Sequence, residues 1–137
     1  MTRDYGWYRS TYADENTGVV VGPLTANPHT LIAAPSANYQ VFVQRISINV
    51  GTYAAETWTF QDTADSPVKI AVDSIPAAAT ALRSESGSIV HDFGAEGVPL
   101  TQGKGLSLSR SAANTSGAVT VEAYRRLIGP LAMSNSN

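Results

Sequence analysis

The stretch Tyr39-Gln-Val-Phe-Val-Gln-Arg-Ile-Ser-Ile-Asn-Val50 decides the fold class of this chain. It is rich in Val and Ile, whose branched Cβ atoms favour the pleated strand, and no Gly or Pro interrupts it. Its apolar residues fall into two phases: Phe42, Ile46, Ile48 and Val50 share one parity, Val41 and Val43 the other. Side chains alternate across a strand with a period of two. The change of phase therefore has two readings, a strand buried on both faces near its start or a bulge near Gln44.

The same period governs the flanks. Upstream, Val19-Val-Val21 between Gly18 and Gly22, and Thr30-Leu-Ile-Ala33, read as short strands. Downstream, Glu56-Thr-Trp-Thr-Phe-Gln61 points Trp58 and Phe60 inward and its threonines outward. The turn cluster Asp62-Thr-Ala-Asp-Ser-Pro67 then leads to Val68-Lys-Ile-Ala-Val72, and the two strands form a hairpin. Ser88-Ile-Val-His-Asp-Phe93 places Ile89, His91 and Phe93 on one side. Gly94 and Gly97 frame a loop before Val98-Pro-Leu100, and Leu106 and Leu108 mark a further strand. Ala118-Val-Thr-Val-Glu-Ala-Tyr124 closes the domain with Val119, Val121 and Ala123 inward. The alanine-rich Ile75-Pro-Ala-Ala-Ala-Thr-Ala-Leu82 supplies at most one or two helical turns. The count is about eight strands at spacings of about 8–12 residues, which predicts an all-β, antiparallel β-sandwich, jelly-roll-like in arrangement.

Composition sets the limits. The chain has 137 residues, and a single domain of that length buries roughly two-thirds of its unfolded surface. It contains no cysteine, so disulfide frameworks, thiolate nucleophiles and cysteine-based metal sites are excluded. Charged residues make up 15%, against about 25% in a typical domain, and Ala, Ser, Thr and Gly replace them. Such a composition suits a surface covered by other chains. The net charge of −2 argues against nucleic-acid binding. No apolar run is long enough to span a membrane, and the opening MTRDYGWYRS lacks the apolar stretch of a signal peptide.

The two ends differ from the body, and the expected division is an extended N-terminal arm over 1–17, the sandwich over 18–128 and a C-terminal tail over 129–137. The arm carries Tyr5, Trp7, Tyr8 and Tyr12, half of all Trp and Tyr in the chain. Exposed rings gain nothing from water, so they pack either on their own sandwich or on a neighbouring subunit, where Tyr and Trp are favoured anchors. Leu127, Ile128 and Leu131 in Leu127-Ile-Gly-Pro-Leu-Ala-Met133 are too apolar for a free tail. These seven residues are the candidate partner interface.

The residues offer no catalytic constellation. His29 and His91 stand alone in sequence, with no second ligand at helical or turn spacing, and read as structural. Asp62 and Asp65 bracket a turn without the oxygen-rich run of a calcium loop, and read as turn formers. Gly103-Lys-Gly105 is too short for a phosphate loop and suits a hairpin ahead of Leu106. Asn114-Thr-Ser116 is a formal glycosylation sequon, relevant only to a secreted eukaryotic protein. Arg125-Arg126 reads as a solvated basic pair. Of the two rings that could stack on a sugar, Trp58 and Tyr124, Trp58 shares the core parity of Phe60. No cofactor, metal or enzyme activity is expected.

The second half has a recognisable layout. Trp58-Thr-Phe-Gln-Asp62, a turn and Val68-Lys-Ile-Ala-Val72 precede Asp92-Phe-Gly-Ala-Glu-Gly-Val-Pro-Leu-Thr-Gln-Gly-Lys-Gly-Leu106, and Gly117-Ala-Val-Thr-Val-Glu-Ala-Tyr124 follows. Over about residues 40–126 this resembles the small β-sandwich virion proteins of tailed bacteriophages, particularly the cement or decoration proteins of the head. The resemblance implies a structural protein on the outer surface of the capsid that bridges subunits of a major capsid protein. It carries no catalytic residues, and a homo-oligomer, a dimer first, is expected. Related sandwiches in tails and fibres imply the alternative, a glycan- or receptor-binding module.

Overall fold

The computed structural model describes residues 15, 16, 19–21, 24, 26–77, 88–112 and 115–128. Within them the chain is all-β, with no helix. The strands are β1 (Glu15–Asn16), β2 (Val19–Val21), β3 (His29–Ile32), β4 (Tyr39–Thr52), β5 (Glu56–Asp62), β6 (Lys69–Ile75), β7 (Ser88–Asp92), β8 (Val98–Pro99), β9 (Leu106–Arg110) and β10 (Ser116–Leu127). They form two antiparallel sheets packed as a sandwich. In the first, β10 and β4 lie side by side. β1 and β2 pair in succession with the far side of β10, and β7 and β8 with the far side of β4. The second sheet has the order β3-β9-β5-β6. Only β5 and β6 are consecutive neighbours within one sheet's ladder; the other links cross between sheets or step along a lane.

The core lies between the inner faces. The first sheet supplies Val41, Val43, Ile46, Ile48, Val119, Val121 and Ala123, and the second Leu31, Ile32, Trp58, Phe60, Ile75, Leu106 and Leu108, all buried. Burial of each large side chain stabilises the fold by roughly 1.5–3 kcal/mol before chain entropy is counted.

The phase change in β4 is a bulge. Val43 pairs with Ala123 and Arg45 with Glu122, so Gln44 has no counterpart on β10. One extra residue keeps both Val41/Val43 and Ile46/Ile48 in the core. Phe42, which shares the parity of Ile46 in sequence, therefore faces outward instead. On the other side of β4, Ile46 pairs with His91 and Ile48 with Ile89, which carries the inward phase across to β7.

Two further findings depart from the expected pattern. β6 reaches Ile75, which is a buried end of strand rather than the start of an alanine-rich turn; residues 78–82 of that segment lie outside the described residues. The inward row of β5 reads Glu56, Trp58, Phe60, Asp62, with carboxylates at both ends. At one end the Trp58 indole N–H donates to Glu56 Oε2 (3.0 Å) and Thr115 Oγ1 (2.9 Å), and the Thr115 hydroxyl donates to Glu56. Buried Arg110 closes the cluster by donating to the carbonyls of Thr115 (2.8 Å) and Ala26 (2.9 Å). Beside it, Asn27 extends the β3–β9 ladder with its side chain: its Oδ1 accepts from Arg110 N–H (2.9 Å) and its Nδ2 donates to Arg110 C=O (2.7 Å). His91 and Asp73 meet at 2.9 Å, joining the edges of the two sheets.

At the other end of β5, Asp62 is 1% exposed. Its Oδ1 accepts from the N–H groups of Ala64 (3.2 Å) and Val68 (3.1 Å), which fixes the β5–β6 turn as the sequence predicts. Its Oδ2 accepts from Thr101 N–H (3.0 Å) and the Thr101 hydroxyl (2.6 Å), which anchors the loop between β8 and β9. Desolvation pushes its carboxyl up, but the four hydrogen bonds, led by the Thr101 hydroxyl, together hold it below its ordinary value of 3.8. A carboxyl with a lowered folded-state pKa contributes stability fully above its unfolded-state value and loses it as pH falls through the folded one. Asp62→Asn presents an NH2 group to donors and is expected to cost about 1–3 kcal/mol at pH 7. Urea unfolding at pH 7 and pH 3 should show this gap between wild type and variant narrowing in acid.

Candidate functional site

The outward turn of Phe42 creates an aromatic–arginine patch on the first sheet. Phe42 lies opposite Tyr124 in the β4–β10 register. Their rings stack with centroids 5.1 Å apart and planes 6° from parallel. Two residues along β10, Arg126 points to the same face, its guanidinium carbon 5.3 Å from the Phe42 centroid and 5.4 Å from that of Tyr124. With the rings 5.1 Å apart, these distances form a nearly equilateral triangle. The cation is therefore shared about equally between the two rings.

A wall rises beside this stack from the segment between β7 and β8. Tyr124 OH donates to the Glu96 carbonyl (2.7 Å), and the Gln44 side chain donates to the Ala95 carbonyl (2.7 Å). Phe93 N–H donates to the Gln44 carbonyl (2.8 Å), so the bulged residue holds both ends of the turn. Gly97 takes φ +76° where β8 meets β4, and a Cβ there would stand 2.9 Å from the Val43 carbonyl oxygen. Only glycine meets both conditions. Phe42, Gln44, Glu96, Gly97, Tyr124 and Arg126, with Ala95 and Pro99, line an open depression of about 640 Å³. It offers aromatic surface, one cation, one carboxylate and one amide, which is the chemistry of a binding surface. Among the described residues no group of three or more His, Asp or Glu is arranged to hold a metal ion, and no helix is long and apolar enough to cross a membrane.

Of the seven residues expected at a partner interface, Tyr5, Trp7, Tyr8, Tyr12 and Leu131 lie outside the described residues. Leu127 and Ile128 are half-buried at the end of β10, where Leu127 pairs with Tyr39 and Ile128 N–H donates to Asn38 C=O (2.8 Å). They adjoin Arg126. β1 runs antiparallel to β10 with Glu15 opposite Arg125 and Asn16 opposite Tyr124. The start of β1 and the end of β10 therefore lie at the same end of the first sheet, beside the aromatic–arginine patch. Arg125 and Arg126 are not a solvated pair. They are half-buried on opposite faces, Arg125 with its guanidinium carbon 4.8 Å from the Tyr39 ring centroid.

Phe42 and Gln44 are the site residues that alternation alone assigns elsewhere. Their signal is the broken phase: placing the bulge at Gln44 turns Phe42 out, onto the face where Tyr124 stands opposite to Val119, Val121 and Ala123. Compared with known proteins, the chain matches no family model and no curated protein.

If the stack is an independent unit outside the core, Phe42→Ala and Tyr124→Ala should leave the fold intact. A double-mutant cycle by chemical denaturation is expected to give a coupling of about 0.5–1.5 kcal/mol. Additive losses would mean that the rings do not touch in solution.

Proposed function

We propose that this chain is a structural protein of a tailed-bacteriophage particle, a cement protein that binds the outside of the capsid and bridges subunits of the major capsid protein. One observation carries the reading. The start of β1, the half-buried Leu127 and Ile128 at the end of β10 and the Phe42–Tyr124–Arg126 patch lie at one end of one sheet. Tyr, Trp and Arg are the residues that dominate binding energy at protein interfaces. An aromatic segment emerging beside such a patch is suited to reach across a joint between capsomers. The strand orders, with four lanes in one sheet and β3-β9-β5-β6 in the other, support the jelly-roll arrangement expected of such proteins.

The mechanism is linkage rather than catalysis. A subunit that binds only the assembled lattice stabilises it by mass action against separated capsomers. Many copies act together, so each contact can be modest. Pairing of subunits at two-fold positions suits the commonest closed symmetry of oligomers. The protein acts on the virion surface, without a cofactor.

A second reading, a glycan- or receptor-binding module of a tail or fibre, is favoured by the outward Phe42–Tyr124 stack on its open depression. The two readings separate experimentally. Deleting residues 1–12 is expected to abolish binding to capsids stripped of the protein, to leave those capsids as heat-labile as untreated stripped ones, and to preserve the circular dichroism of the sandwich. Normal capsid binding by the deletion variant would sink the arm as the attachment device. A saturable glycan-array signal lost in Tyr124→Ala, with no capsid binding, would replace the cement reading with the second.

A further inference from the structure

We infer that the free edge of β6 is the seam of a homodimer, in which two copies pair their β6 strands antiparallel about a two-fold axis at Val72 and join their second sheets into one. This dimer is the subunit pairing of the cement reading, and it is measurable without a capsid.

β6 (Lys69–Ile75) pairs with β5 alone, and at seven residues it is the longest strand among the described residues with partners on one side only. The other such strands, β1, β2, β3, β7 and β8, have two to five residues. Pro67 and Pro76 bracket β6 and no proline lies between them, so every residue from Val68 to Ile75 keeps its N–H. An edge of this kind presents a row of backbone donors and acceptors to a further strand. Charges and bulges ordinarily guard such edges. Here both guards stand at the first end: Lys69, and the register shift that leaves Ile70 without a counterpart on β5. Beyond them, Ala71 to Ile75 carries one charge, Asp73. Its carboxylate is already held by His91 of the same chain, with Nε2 2.9 Å from each oxygen.

The pattern of side chains selects a second copy as the occupant. Val68, Val72 and Val90 are the exposed large hydrophobics among the described residues, and Val72, 55% exposed, lies at the middle of β6. Antiparallel pairing about Val72 sets that valine against its own counterpart, Ile70 against Ser74 and Lys69 against Ile75. An exposed apolar side chain is thus covered by an identical one. The two Lys69 ammonium groups fall at opposite ends of the seam, about 20 Å apart at about 3.3 Å per residue. That is well beyond the Debye length of about 8 Å at physiological ionic strength. Parallel pairing in register would instead set the two cations side by side, which is destabilising. β3, the opposite edge of the same sheet, has four residues and no exposed large hydrophobic, so the sheet grows no further than the pair.

Sedimentation equilibrium of the full-length protein, from low micromolar to submillimolar concentration, is expected to show a reversible dimer. Val72→Lys opposes two cations at the axis and is expected to weaken that dimer at least about tenfold, with circular dichroism unchanged. The chain has no cysteine, which permits a positive test of register. Directly opposed residues of an antiparallel pair have Cα atoms about 4.5–5.5 Å apart, within disulfide reach. Val72→Cys is therefore expected to cross-link into dimers under mild diamide oxidation several-fold faster than Thr30→Cys, at an exposed position on β3. The cysteine pair serves if Val72→Lys fails to fold. A monomer at every concentration, a dimer indifferent to Val72→Lys, or equal cross-linking of the two cysteine variants would overturn the inference. None of these outcomes bears on capsid binding by the subunit, and loss of capsid binding would leave the dimer standing.

Discussion

Between Val43 and Arg45 the chain spends one residue more than β10 can match, and both faces of the first sheet depend on it. Without the extra residue the inward row of β4 would lose either its Val pair or its Ile pair, since side chains alternate strictly along a regular strand. With it, four branched residues face the core and Phe42 is displaced to the outside. The bulge is held from the flank: Phe93 N–H reaches the Gln44 carbonyl, and the Gln44 amide reaches the Ala95 carbonyl. The same residue that repairs the core thus builds the wall of the depression. Core packing and surface chemistry share one backbone irregularity.

Around this frame the polar interior fixes alignment. Glu56, Thr115, Trp58 and Arg110 interlock at one end of β5, Asp62 ties the other end to Thr101, and His91 reaches Asp73 across the edge. Burying such groups costs free energy unless they are satisfied, so their net contribution to stability is modest. What they penalise is misalignment. A slip of β5 by one residue would expose Trp58 and Phe60 and strand both carboxylates on the wrong face. Two sheets joined mainly by crossings between them, with one local hairpin, need a constraint of that kind.

Much of this was legible in the residues. The threonine–aromatic alternation of β5, the inward Val119, Val121 and Ala123 of β10 and the turn-forming role of Asp62 follow from local pattern, because each depends on neighbours two or three positions away. The all-β antiparallel sandwich follows from the sum of such segments. The choice between two readings of Tyr39–Val50 did not, since only the partner strand reveals that Gln44 goes unmatched. Glu56 shares its parity with Trp58, but nothing in the sequence announces that Thr115, 59 positions away, will receive its carboxylate. Arg125 and Arg126 look alike as neighbours and part only when a strand sends them to opposite faces. His91 found its carboxylate in another sheet. Each of these is a long-range pairing, which a periodic pattern does not encode.

The placement of the chain ends is a consequence of topology with a bearing on function. Because β1 runs antiparallel to β10, Glu15 at the start of β1 lies at the same end of the first sheet as Leu127 at the end of β10. A chain with 15% charged residues has few charges available for long-range steering. Phe42, Tyr124 and Arg126 gather two rings and a cation on the outer face, at the end of the first sheet where β1 begins and β10 ends.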